Sequence, residues 1–535
     1  MISNSEKVAI NIVGGSTFGL YPKISAEKTY NMFITTAGDS QSATKWLVTY
    51  AGFKRATEIL SGGEGRGIFH SFRGGFAIVV AGSTVYKFLP SGAIITIGNL
   101  DTIRGEVSID ENTSSQICIV DGISAYIFHY TATTNTLTKQ SLIWSGNPVK
   151  PNYVCYMNQR FLLASSTTST FPQNWYVAAR LTDTTITIPN DNQFQIETKP
   201  DSAVAIKRIP GQSSSVIVFG KSVAEVWINT GGTEVYVRNS AKSFDNGCVS
   251  VNTIAANDEL VCWLAQNENS APFIMTYGAN GTQRISTDGI DNLLASIVKP
   301  EDSTAFFYRQ DGHLFYQLTF FNSEDNLTLI YDFNNGMFFH GSDETLNFHP
   351  ARQVIYFNEK TYFVSINDAA VYEMGGNIVN YNYTTNSQAV GFEIPRIRIA
   401  KTIRKDDSSR FRVGYFTFPI EQGVFSYNLD DIENCDCYII TEEGDFVLSE
   451  DGDFLILEEC GCLISDYRPR IDMSFSKNGN QSFSSVVSRD LNLAGVFRNR
   501  LNWYRMGYAN EFTIQLRFWG LQRFVAHDGI VEVFV

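Results

Sequence analysis

The sequence predicts an all-β protein: a β-propeller of six or seven blades, then a C-terminal β-sandwich-like domain carrying a small acidic β-meander. Three observations carry this. Charged residues are only 18% of the 535, against about 25% in ordinary soluble domains, which leaves few Glu, Lys and Arg to clothe helices. Aromatic residues reach 13% and glycine 41 positions, while Met has only 8; this is a strand-and-turn composition. Finally, a two-strand unit recurs along most of the chain.

The repeat consists of a short apolar strand, a tight polar turn and a second strand rich in Tyr, Phe or Trp. Phe76-Ala-Ile-Val-Val80 with Thr84-Val-Tyr-Lys-Phe88 is one copy. Others pair 117–120 with 126–130, 161–163 with 175–177, 216–219 with 224–228, 260–264 with 273–277, 314–318 with 327–331 and 362–365 with 370–372. The first strands start 41, 44, 55, 44, 54 and 48 residues apart, which is propeller-blade spacing. A lone hairpin cannot bury both faces, so the units must stack around an axis. The first or last unit could belong to a flanking element, hence six or seven. A plain sandwich, with turns every 8–12 residues or so, fits the spacing less well. The expected division is an N-terminal arm or strand region at 1–60, the propeller at 61–385 and a C-terminal β domain at 386–535, with the acidic insertion at about 421–466.

Between 421 and 466 there are fourteen Asp and Glu and no Lys or Arg, which is the whole net charge of −14. Thr441-Glu-Glu-Gly-Asp-Phe-Val447 repeats as Ser449-Glu-Asp-Gly-Asp-Phe-Leu455, so the segment reads as short strands joined by Gly turns. Its charge would keep those strands from pairing with other chains. The rest of the chain is balanced, 41 against 41. A protein that grips DNA by neutralising phosphates would show the opposite sign. Neutral or acidic walls let DNA pass without sticking.

No apolar run approaches the ~18–20 residues of a membrane span. The start, Met1-Ile-Ser-Asn-Ser-Glu-Lys, shows no secretory leader. The expectation is a protein that stays in a cytoplasm unless an assembly carries it out. Cys118, Cys155, Cys248 and Cys262 lie in apolar strand-like runs and read as buried free thiols. Cys435, Cys437, Cys460 and Cys462 bracket the acidic meander. Packing at its base, a metal site or disulfides in a released particle all fit, although zinc sites usually space their cysteines more widely than C-x-C.

Nothing else in the sequence points to catalysis. Gly220-Lys-Ser222 echoes a phosphate loop but lacks its first Gly, because Ser215 stands there, and a strand follows where a helix should. The six histidines form no metal motif, and no G-x-S-x-G is present. No cofactor signature appears. Ser476-Lys-Asn-Gly-Asn-Gln-Ser-Phe483 is a loose match to the Asp-box turn of sialidases. That leaves a glycan-binding or glycan-hydrolysing propeller as the alternative function, although no carboxylate pair is singled out.

Arg396, Arg398, Lys401, Arg404, Lys405, Arg410 and Arg412 give one strand region a basic face, and Arg498, Arg500 and Arg505 form a second cluster. These read as a solvated face, as contact with phosphate, or as contact with an acidic partner such as the acidic insertion of a neighbouring subunit.

Both ends of the chain carry a family resemblance. Tyr30-Asn-Met-Phe33 followed by Thr49-Tyr-Ala-Gly-Phe-Lys54, and Arg498-Asn-Arg-Leu-Asn-Trp-Tyr-Arg-Met-Gly-Tyr-Ala509 followed by Phe512-Thr-Ile-Gln-Leu-Arg517, resemble the opening and closing motifs of the packaged-DNA stabilisation proteins of short-tailed phages. Arg500, Trp503, Arg505, Gly507 and Ala509 fall on the closing motif; Ala51 replaces its usual Pro at the opening, and Asn510 a usual basic residue. The resemblance implies a structural virion protein, not an enzyme. It would be made in the bacterial host cytoplasm and added to the tail or neck after packaging. It would form a homo-oligomeric ring, usually of six copies, that closes the portal channel. Its partners would be the portal and adaptor proteins, a tail needle or plug, and tailspikes, with packaged DNA passing through without sequence-specific binding. Arg396, Arg398, Lys401, Arg404, Arg500, Trp503 and Arg505 are the expected partner-interface residues.

Overall fold

The computed structural model describes residues 5–19, 27–37, 44–60, 63–131, 136–180, 185–231, 235–385, 391–405, 408–422, 469–491, 499–520 and 523–534. Six blades of consecutive antiparallel strands occupy 65–99, 108–140, 151–195, 205–238, 247–284 and 303–341. A seventh sheet has three strands at 351–375 and takes its outer strand, Gly52–Arg55, from the N-terminal side. The recurring strand pair of the sequence is the second and third strand of each of these sheets.

The apolar runs are continuous because both faces of these strands are buried. Ile117 and Ile119 pack toward blade one, while Cys118 and Val120 pack toward blade three. Val216 and Val218 face blade three, and Ile217 and Phe219 face blade five. The period of two thus divides each strand between two neighbours. Further clusters join blades five and six and blades seven and one, closing the ring. One α-helix is present among the described residues, Asp288–Ala295; Thr287 caps it and it buries Ile290 and Leu294 in the five–six interface.

The C-terminal body consists of two sheets across one core. The first orders Ser5–Ile10, Gly529–Phe534, Phe411–Gln422, Phe524–Ala526, Thr44–Thr49 and Met32–Ala37, with Asn499–Ala509 also on Phe411–Gln422. The second is an extension of blade six: Met337–Gly341 pairs with Lys28–Tyr30, and Arg396–Ile399, Glu511–Trp519, Arg470–Ser476 and Val487–Asp490 follow. Phe33, Phe411 and Phe416 from one sheet meet Met473, Leu516 and Phe518 from the other. The first sixty residues therefore serve both bodies, with strands in each.

The opening motif is legible in this frame. Asn31 is fully buried at φ +51°, a left-handed value that Asn tolerates. Its side-chain amide donates to Ser342 Oγ and to the Pro395 carbonyl, and its oxygen accepts from the Ser342 amide, so blade six and the C-terminal body are tied at one residue. At Gly52, a Cβ would run into the carbonyl oxygens of Asn380 and Ile378, so the closing strand needs glycine there.

Candidate functional site

The propeller axis holds a cavity of about 300 Å³. Phe69, Ser108, Tyr153, Lys207, Ala255, Phe306 and Gln353, one from each blade, contribute to its wall. The Lys207 ammonium lies 3.3 Å from the Tyr153 hydroxyl. Gln353 donates to Glu106 Oε1, while Glu106 Oε2 has no hydrogen-bond partner among the described residues. Burial pushes the Glu106 carboxyl up to about 7, against the pull of the Arg352 charge and the Gln353 bond. A volume of this order suits a small ligand. It cannot pass a duplex, whose major groove alone is about 12 Å wide.

The raised Glu106 gives a pH signature. The folded chain binds its proton below about 7, whereas the unfolded carboxyl waits until about 4.3. Glu106 therefore costs stability above pH 7, and that cost is removed as pH falls toward 4.5. Because the side chain is partly exposed to the cavity, the effect is about 1–2 kcal/mol. Glu106→Gln is expected to be the more stable chain at pH 8 and to lose more stability than wild type between pH 8 and pH 5. Parallel thermal scans at the two pH values check this, and identical shifts in the two chains would refute it.

Three histidines, His313, His340 and His349, are buried in the fold. Burial holds His340 and His349 down at about 3, so both are neutral near pH 7. His340 Nδ1 pairs with Ser16 Oγ at 2.9 Å, and its ring stacks on Tyr30 and Phe18. His313 pairs with the buried Asp332 at 2.9 Å. Among the described residues no group of three or more His, Cys, Asp or Glu could hold a metal. Cys118, Cys155, Cys248 and Cys262 are buried and free, and burial raises each thiol. Cys435, Cys437, Cys460 and Cys462 lie outside the described residues, as does most of the acidic insertion. Lys221 and Ser222 sit in a hairpin turn closed by Gly220 N to Val223 O. The Asp-box-like stretch is also a turn: Ser476 Oγ accepts from Asn480 N, and Asn478 Oδ1 from Ser482 N.

Three of the expected interface residues are corrected. Arg396 and Arg398 are fully buried, because their strand is an inner member of a ten-stranded sheet and its basic face points inward. Arg396 donates to the carbonyls of Gly520 and Val379, and Arg398 to those of Ile12, Gly15 and Asn11. Trp503 is also buried; it stacks on Phe416 and donates to the Val487 carbonyl. Lys401, Arg404, Arg500 and Arg505 are exposed. Arg404 and Arg505 lie toward the end where Asn499–Ala509 of one sheet passes through Asn510 into Glu511–Trp519 of the other, while Arg500 pairs with Pro419 at the far end.

Comparison with known proteins decides the family. The family model described as bacteriophage P22 Gp10, β-propeller, matches residues 24–378, about two thirds of the chain. The chain belongs to that family. Curated proteins gave no match. Among solved structures, the Gp10-type propeller is similar to virginiamycin B lyase from Staphylococcus aureus, at 10% identity and a TM-score of 0.40, covering 61% of this chain and 99% of the lyase. It is also similar to the Pan2 WD40 domain of Neurospora crassa, at 7% and 0.37, covering 58% and 89%. A third is the extracellular domain of the hybrid two component system BT4673 from B. thetaiotaomicron, at 10% and 0.41, covering 88% and 62%. The Gp10-type match begins just before Lys28–Tyr30 and runs past the closing strand and the last blade, so it spans the propeller and its N-terminal ties. The axial residues Glu106, Tyr153 and Lys207 were not singled out by sequence reasoning. The available signal was a charged pair, Lys207-Arg208, ending an otherwise apolar strand.

Proposed function

We propose that this protein is a structural component of a phage tail or neck, assembling as a ring that closes the portal channel after packaging and holds the genome in. The family match across the propeller is the observation that carries this reading. The ring would connect portal and adaptor to a distal needle or plug, with tailspikes as possible neighbours in the same assembly. The axial cavity is too small for duplex DNA, so the channel in this reading lies between copies and not along the axis of one propeller.

Deletion of the gene from the phage that encodes the protein tests it. Heads are expected to fill and then to lose their genome, read as nuclease-sensitive DNA in purified particles. Particles that keep their DNA and fail only in adsorption would overturn the closure role. They would make a glycan-acting propeller the leading reading.

A further inference from the structure

Exposed cations cluster at the end of the C-terminal body where the chain crosses from one sheet to the other, a tip at Asn510. Asn499–Ala509 turns at Asn510 into Glu511–Trp519. Arg404 pairs opposite Glu511, and Arg412 opposite Tyr508. Lys477 follows Ser476, which pairs opposite Thr513, and its ammonium lies over the Phe475 ring. Arg505 sits at φ +64° on the bulge facing Val413 and Tyr415. With Arg410, whose guanidinium lies over Tyr508, five exposed cations gather here. Glu511 and Glu532 are carboxylates near this end, while Asp472 and Glu421 lie farther along the same strands. Tyr504 and Tyr508 add aromatic surface, 63% and 55% exposed. Cations beside exposed Tyr have the composition of a docking patch.

We propose that this tip receives the acidic run, residues 423–466, of a neighbouring copy, so that copies join head to tail. The inference rests on the ring reading above and names its contact. The acidic run holds thirteen Asp and Glu and no Lys or Arg, nearly the whole charge excess of the chain. The strands that flank it in the chain end at Gln422 and begin at Arg470, which pairs opposite Trp519. That is the other end of the same strands. At about 3.3 Å per residue, Arg412 and Gln422 are ~33 Å apart. Acidic charges held near those flanking strand ends lie well beyond the Debye length of about 8 Å at physiological salt from their own tip. Placed head to tail, the acidic end of one copy meets the cationic tip of the next. Such a heterologous contact, repeated with a closing rotation, makes a ring. Its ionic character predicts salt-sensitive assembly.

The test uses the full chain. Equal amounts of ¹⁴N- and ¹⁵N-labelled copies carry a photo-crosslinking amino acid at Phe446, and crosslinked peptides are mapped by mass spectrometry. Alongside, self-association is measured by light scattering for wild type and for Arg404→Glu/Arg410→Glu/Arg412→Glu/Lys477→Glu, with circular dichroism to confirm folding. The expected result is mixed-label crosslinks to 404–412, 477 or 504–508, and self-association weakened at least about tenfold by tip reversal. A partner chain bearing Glu442→Lys/Glu443→Lys/Asp445→Lys/Glu450→Lys should restore association with the tip-reversed chain, which a folding defect would not allow. If the chain oligomerises but Phe446 crosslinks only within its own copy or elsewhere, the docking inference fails and the ring reading stands. If tip reversal leaves assembly intact, or a duplex oligonucleotide is what the tip holds, the inference also fails. If no oligomer forms in solution or in particles, the ring reading fails and the inference falls with it.

Discussion

Phe53→Ala is expected to destabilise the propeller more than any other single truncation on its rim, by about 3–5 kcal/mol. The strand that holds Phe53, Gly52–Arg55, is only four residues long, yet it closes the ring between Val371–Gly375 and Asn380–Asn382. Backbone pairing over four residues is a weak clasp, so the side chain must anchor it. Phe53 is fully buried. It stacks on Tyr381 at 4.4 Å and meets His349, Phe363, Tyr372 and Tyr383 edge-on at 5.3–5.5 Å. Such contacts each add about 0.5–1.5 kcal/mol beyond area burial. Alanine removes all five and leaves a cavity walled by aromatic rings that cannot collapse into it. The measurement is the urea midpoint, with limited proteolysis around 52–60 as a local readout. Phe53→Leu should lose less than half as much. A loss below about 1 kcal/mol for alanine would mean that the ring is held elsewhere.

What the sequence shows of this fold follows from sequence separation. Second and third strands of a blade are neighbours in the chain and carry apolar runs buried on both faces, so their pattern is local and strong. Inner strands such as Ser108–Glu111 face the axis on one edge and read as mixed polar segments. The N-terminal strands pair across nearly the whole chain, as Ser5 does with Phe534, and no local pattern can announce that. Alternation in Arg396-Ile-Arg-Ile399 is real, but its meaning depends on what covers the strand. In a half-exposed sheet the arginines would face solvent. Here residues 11–15, Glu27, Thr29 and the Gly520 turn meet that face and supply acceptors, so it is the arginines that turn inward. Arg404, Arg410 and Arg412 are exposed, so their charge reads directly from the sequence, whereas Lys477 joins them only through strand pairing. The family motifs were informative for a physical reason: Asn31, Gly52 and Trp503 each hold a position that the fold constrains.

Arg398→Met is expected to cost a further 3–5 kcal/mol and to release the N-terminal segment from the C-terminal body. The reason is the number of groups that one guanidinium serves. Nε donates to the Ile12 carbonyl at 2.7 Å. Nη1 donates to the Gly15 carbonyl and to Thr29 Oγ1, at 2.9 and 3.1 Å. Nη2 donates to the Asn11 carbonyl and pairs with Glu27 at 2.6 Å. Methionine would fill much of the volume but leave these acceptors and the Glu27 carboxylate without a donor, and each unmet buried group costs about 1–3 kcal/mol. Lysine keeps the charge but presents a point donor in place of a fork, so Arg398→Lys should recover less than half of the loss. Arg396 gives the contrast. It makes two carbonyl contacts, its Nε has no hydrogen-bond partner among the described residues, and its guanidinium rests on the Phe524 ring. Arg396→Met should therefore cost clearly less than Arg398→Met. Denaturant midpoints rank the three variants, and hydrogen exchange of residues 5–19 reports whether the segment has come free. Equal losses at 396 and 398, or unchanged exchange at 5–19 in Arg398→Met, would show that strand pairing, and not this guanidinium, holds residues 5–19.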